Sequence, residues 1–197
     1  MSRSSPSYPP ASIATPSTDP WSAARQSFLA LLPAGAHLLE AGCGEGDDLC
    51  FFRQQGLVVT AFDARLAQAR IASRRSGQPV RVCRIEQLRS VVPYDGIWAR
   101  GALPAIAPDD LSDALAHLAG LLKPARPLYC AFPHPSGQIV ATGSTPGAPA
   151  AEEHLCQTRL DEDGLRRLIA PLPLQLQRCW ESEQADGRWL HALLIRA

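Results

Sequence analysis

One lysine, one methionine and no surplus of either charge set this 197-residue chain apart from several protein classes. Its nineteen basic residues offset nineteen acidic ones, so the formal net charge is zero. That balance gives no broad electrostatic footprint for DNA, RNA or an anionic membrane. Lys123 is the lone lysine, and the arginines that supply the remaining positive charge are scattered rather than striped. No apolar run approaches the roughly 20 residues needed to cross a bilayer. The opening MSRSSPSYPPASIATPSTDP also lacks the apolar stretch of a secretory signal. The six cysteines, at 43, 50, 83, 130, 156 and 179, include no CxxC pair and no Cys/His cluster at metal-ligand spacing. They are expected to be free thiols in a reducing, cytoplasmic compartment, with no bound metal.

The chain holds enough residues for one domain with a real core, and too few for two. Residues 1–19, rich in Ser, Pro and Thr, are expected to form a disordered tail, with a single domain over 20–197. Trp21 to Leu32 suits a short helix. Then the chain alternates. HLLEA (37–41) is a short apolar run ending at glycines, as a buried parallel strand would be. Asp47 to Gln55 follows as a helix with an acidic first turn, and Gly56 can supply its left-handed end. LVVTAF (57–62) predicts a strand, Ala64 to Ser76 a helix closed by Gly77, and Val80 to Cys83 and Asp95 to Ala99 two further strands. Leu111, Leu115, Leu118 and Leu122 place one apolar stripe on a helix over 110–122, with Asp109 as its N-cap. Leu128 to Phe132 is the fifth strand. This rhythm implies a parallel sheet with helices on both faces. Residues 133–155, rich in Pro, Gly, Ser and Ala, predict a long flexible loop. Asp161 then caps a helix to Ala170, with Leu160 and Leu165 at staple spacing. Two strands, 174–180 and 188–195, flank the polar ESEQADG as an antiparallel hairpin.

The most informative stretch is HLLEAGCGEGDD. A strand ends at Glu40, glycines follow at 42, 44 and 46, and a helix opens at once. Glycine lets the backbone turn sharply and lets a ligand lie against bare main chain. Twenty-one positions after Gly42 comes Asp63, at the end of the second strand, placed to accept hydrogen bonds from both hydroxyls of a ribose. A dinucleotide fingerprint would set its third glycine at position 47, where Asp47 stands. Asp47 and Asp48 would repel a pyrophosphate. A cofactor with a sulfonium and an ammonium, and no phosphate, suits this turn better, which counts against an NAD-dependent oxidoreductase.

On these motifs the chain from Trp21 onward resembles a class I S-adenosylmethionine-dependent methyltransferase, of the small bacterial kind related to tellurite-resistance methyltransferases. LLEAGCGEG matches the glycine motif, VVTAFDARLAQAR the second-strand motif, YDGIWARGAL the fourth-strand motif and LAGLLKPARPLYCAF the helix and fifth strand after it. The resemblance implies an α/β, Rossmann-like three-layer sandwich. Its seven-stranded, mostly parallel sheet would have the order 3-2-1-4-5-7-6, with strand 7 antiparallel. It implies S-adenosyl-L-methionine as cofactor and a small-molecule methyl acceptor. By position, Glu40, Gly42, Cys43 and Gly44 would line the methionine and ribose side and Asp63 would hold the ribose. Ala64 would border the adenine, Ile85 and Glu86 would flank its ring, and Ala99 would face the methionine moiety.

Three places depart from the family pattern. Relatives usually carry Asp at the position of Arg84 to accept from the adenine amino group, so Glu86 or the backbone would replace it. Pro104–Ala105 stands where a Leu-His pair is common, and Pro133-His134-Pro135 where Lys-Tyr-Gly is. These departures motivate the competing reading, an S-adenosylmethionine-binding protein without turnover that acts as a regulatory or interaction module. Methyl transfer from a sulfonium needs chiefly that donor and nucleophile be held in line. No catalytic residue is therefore assigned. His134 is a candidate base only if the acceptor starts protonated, and a loop histidine of no function is the better expectation.

Overall fold

The computed structural model describes residue 19 and residues 21–136 and 158–197. Most of the predicted disordered tail and of the 133–155 loop lies outside these residues. The first helix, α1 (Ser22–Leu29), ends three residues before the predicted Leu32. β1 (His37–Ala41) falls where HLLEA predicts it, buried along nearly its whole length as a central parallel strand must be. α2 (Asp47–Gln54), β2 (Val58–Asp63), α3 (Leu66–Ser76), β3 (Arg81–Val82) and β4 (Gly96–Ala99) follow. Gly56 and Gly77 take the left-handed conformations expected of glycines at helix ends.

α4 (Pro108–Leu121) starts two residues earlier than predicted, and Asp109 is not its cap. Pro108 occupies the first helical position, where its missing N–H costs nothing, so the cap position passes to Ala107 and both aspartates enter the first turn. The leucine stripe is correct: Leu111, Leu115, Leu118 and Leu122 are all buried. β5 (Pro127–Pro133) is buried throughout. α5 (Glu162–Ile169) is capped by the Asp161 carboxylate, which accepts from the Gly164 N–H at 2.7 Å.

The hairpin differs more. β6 (Leu174–Gln184) and β7 (Gly187–Arg196) absorb five residues of the predicted polar turn, leaving Ala185 and Asp186 between them. Glu181 to Gln184 pair with Leu190 to Gly187 in register. On an edge strand, charged residues such as Glu181 and Glu183 can stay in solvent while Ser182 turns inward to His191.

The sheet order is β3-β2-β1-β4-β5-β7-β6, with β7 antiparallel to both neighbours. The connection therefore reverses between β1 and β4, which opens a crevice at the carboxyl ends of those strands. Two apolar layers fill the faces. One joins Leu39, Ile97 and Leu128 to α4 and α5. The other joins Leu38, Trp98 and Tyr129 to α1 and α2, with Trp98 and Tyr129 stacked at 3.8 Å.

Candidate functional site

The glycine turn lies at that crevice, anchored before any ligand is considered. The Gly42 and Cys43 amides both donate to the Phe62 carbonyl at 3.0 Å, tying the end of β1 to the end of β2. Gly42, Gly44 and Gly46 all hold positive φ (71°, 54° and 86°). Their reasons differ. A Cβ on Gly42 would sit 2.8 Å from the Ala102 Cβ, and one on Gly46 would sit 3.0 Å from the Ala72 Cα. A Cβ on Gly44 would meet nothing within 4 Å. The outer glycines answer to packing, while Gly44 presents bare backbone to open space.

Asp63 is buried at the tip of β2. Its Oδ2 accepts from the Gly44 N–H at 2.9 Å, and its Oδ1 accepts from the Arg65 N–H at 2.8 Å. It does not cap α3, whose cap position is Arg65. Arg65 Nε also donates to Oδ1, at 3.3 Å, so with two acceptor sites per oxygen the remaining capacity for a hydroxyl donor lies on Oδ2. Ala64 beside it is exposed. The Asp63 carbonyl accepts from the Cys83 N–H at 3.3 Å, which sets the short 3₁₀ turn Ile85–Gln87 just beyond. Ile85 is buried there, while exposed Glu86 lines a shallow groove with Asp110, Asp113 and His117 of α4. Arg84 is exposed, and its backbone N–H donates to Gln87 Oε1. Ala99 closes the crevice as the buried last residue of β4.

The acidic helix start needs correcting. Asp47 and Asp48 are already compensated by arginines. Exposed Asp47 pairs with Arg75 at 2.6 Å. Asp48 is buried and receives Arg25 Nη2 at 2.5 Å, Arg100 Nε at 2.8 Å and the Trp98 Nε1–H at 2.9 Å. Arg25 also pairs with Asp19, and the Arg100 guanidinium lies 4.9 Å over the Trp21 ring. Sequence reading missed Arg25 and Trp98 altogether, because nothing in α1 or β4 signals a partner so distant in the chain. Arg100, within the YDGIWARGAL motif, belongs to this cluster too.

Glu40 is left over. Its side chain is buried, and Oε2 has no hydrogen-bond partner among the described residues. Burial, then the nearby Asp48 carboxylate, hold its carboxyl well above the usual range, against weaker opposing pulls from Arg100, Arg25 and the Leu49 N–H. Burial also pushes the Cys43 thiol up to about 12, so it offers no thiolate nucleophile at neutral pH. The five described cysteines are all free, and Cys156 lies outside the described residues. His134, past the end of β5, sets Nδ1 2.7 Å from Ser136 Oγ and Nε2 3.5 Å from Glu181, which also pairs with Arg188. No described helix is long and apolar enough to cross a membrane.

A family profile described as a methyltransferase domain matches residues 18–190. The fold is shared with the 1,6-didemethyltoxoflavin N1-methyltransferase of Burkholderia thailandensis, solved with its substrate and S-adenosylhomocysteine. That match has 21% identity and a TM-score of 0.72, and covers 91% of this chain and 79% of that one. The magnesium protoporphyrin IX methyltransferase of Synechocystis, solved with bound S-adenosylmethionine, aligns at 17% identity and a TM-score of 0.68, covering 89% and 77%. A TehB-like methyltransferase from Corynebacterium glutamicum aligns at 20% identity and 0.65, covering 88% and 86%. No curated protein matches the sequence.

Proposed function

The chain belongs to the methyltransferase-domain family, and on that premise we propose that it transfers a methyl group from S-adenosyl-L-methionine to a small-molecule acceptor. One arrangement carries the reading: two buried carboxyl groups, Glu40 and Asp63, close β1 and β2 beside a left-handed Gly44 whose Cβ position faces open space. The residues fit the cofactor. Asp63 would hold the ribose hydroxyls and the bare Gly44 backbone would allow close approach. Glu40, the carboxyl without a cation of its own, would face the methionine ammonium. Ala99 and Cys43 would border the methionine side, with Ala64, Ile85 and Glu86 about the adenine.

Bound there, the cofactor supplies a methyl group that is already activated, so the chain's task is positioning and exclusion of water. α1 serves this by covering α2 through Arg25 and setting Trp21 against Arg100. We place the protein in the cytoplasm, where free thiols persist. The motif resemblance and the TehB-like neighbour favour the small bacterial branch related to tellurite-resistance enzymes. The balanced charge supports a metabolite as acceptor over nucleic acid or membrane.

Calorimetric titration with S-adenosylhomocysteine tests the pocket. Saturable micromolar binding is expected for wild type, with loss of the signal in Asp63→Ala. At about 100 times its Kd, the ligand should raise folding stability by roughly 2.7 kcal/mol. A folded wild type that binds nothing refutes the reading.

A further inference from the structure

The cations at this site are unevenly shared. Asp48 takes Arg25 at 2.5 Å and Arg100 at 2.8 Å, together with the Trp98 indole N–H. Glu40, equally buried on β1, has neither arginine as an ion-pair partner, and its Oε2 has no donor among the described residues. Of the groups acting on it, Asp48 on α2 repels, Arg25 on α1 and Arg100 after β4 attract from farther off, and Leu49 offers one backbone N–H. Cys43, on the same turn, stays a neutral thiol. An ionised carboxylate removed from water without a pairing cation is costly, and a group so placed keeps its proton instead.

We propose that Glu40 carries a proton in the free protein and releases it to solvent when a ligand ammonium enters, so that Glu40 selects ligands by positive charge. The inference rests on the cofactor reading above and adds a proton to its balance. In the free state the site holds a neutral carboxylic acid. In the complex it holds a carboxylate against an ammonium, and the proton has gone to buffer. Ligand affinity then rises with pH below the free-state titration of Glu40 and levels off above it, because the free protein holds more protons than the complex. Adenosyl compounds without an ammonium leave the proton in place.

The test is calorimetry of the full chain in buffers of different ionisation enthalpy, with two probes. S-adenosylhomocysteine carries the ammonium, and 5′-methylthioadenosine lacks it. Wild type should release close to one proton per S-adenosylhomocysteine and none per 5′-methylthioadenosine. Glu40→Gln, which keeps the shape of the protonated form, should release none with either probe and lose the pH dependence. An infrared difference spectrum, wild type minus Glu40→Gln without ligand, should show the carbonyl stretch of a protonated carboxylic acid. S-adenosylhomocysteine binding without proton release, or equal release with both probes, overturns the proposal, as does a carboxylate in the infrared spectrum. If neither probe binds, the cofactor reading fails, and the infrared result still decides whether Glu40 is protonated.

Discussion

Replacing Gly44 with alanine probes the site without touching the core, and the same change at Gly42 supplies the contrast. Both residues hold positive φ, which costs an L-residue roughly 1–2 kcal/mol. At Gly44 that is the whole cost, since the new methyl meets nothing within 4 Å. At Gly42 the methyl lands 2.8 Å from the Ala102 Cβ and 3.0 Å from its Cα and N. Overpacking against backbone adds about 1–3 kcal/mol, for a total of about 2–5 kcal/mol. For a domain of this size, Tm should fall by roughly 2–8 °C in Gly44→Ala and by about 4–20 °C in Gly42→Ala. Binding should rank the other way relative to stability. The milder variant should lose at least about tenfold in S-adenosylhomocysteine affinity, or ~1.4 kcal/mol, because its methyl occupies the space kept for ligand. Urea unfolding and calorimetry on both proteins read the two quantities separately. A Gly44→Ala protein that binds S-adenosylhomocysteine as tightly as wild type would refute the claim that ligand lies against this residue. A Gly42→Ala protein as stable as Gly44→Ala would refute the packing argument.

Asp48→Ala leaves Arg25 and Arg100 facing each other without their shared carboxylate, and breaking a buried pair in this way costs about 3–5 kcal/mol. Chemical denaturation should show that loss, whereas Arg75→Ala, at the exposed pair with Asp47, should leave the unfolding midpoint nearly unchanged. His191 is buried between the Tyr129 and Ser182 hydroxyls, and burial lowers its pKa to about 4. Its unfolded value is about 6.5, so the unfolded chain takes up the proton first as pH falls. Its contribution to stability is therefore complete above pH ~6.5 and lost as pH falls towards about 4. Denaturation midpoints measured across that window should fall more steeply for wild type than for His191→Gln.

The fold was legible because its signals are local. HLLEA ends at glycine, Gly56 and Gly77 close helices, and the four leucines of α4 repeat at helical spacing. The hairpin boundary was less legible, since polar ESEQ reads as turn when its strand partner, Gly187 to Leu190, is not yet known. Pro108 displaced the expected cap for a local reason that residue preference at Asp109 alone does not carry. At the site, the glycine turn and Asp63 stand out by spacing. The charge pattern does not, because Asp48 meets Arg25 and Arg100 from 23 and 52 positions away in the chain. Two acids side by side in sequence read as an exposed negative turn. In three dimensions both are matched, and the carboxyl left without an ion-pair partner among the described residues is Glu40 on β1.

The hydrogen bond from the Gly44 amide makes Asp63 a strut of the turn, beside the ribose-binding role proposed for it. The turn is fixed by the carboxylate that we propose receives the ribose, so its ordering is completed when the chain folds. A ligand arriving at a cradle already set gives up little loop entropy, and more of its contact energy appears as affinity. The same economy binds the two roles together. An asparagine at 63 could keep the strut through its carbonyl oxygen, but its NH2 would then meet the Arg65 N–H donor to donor, so the position is constrained in the architecture as well as in the chemistry.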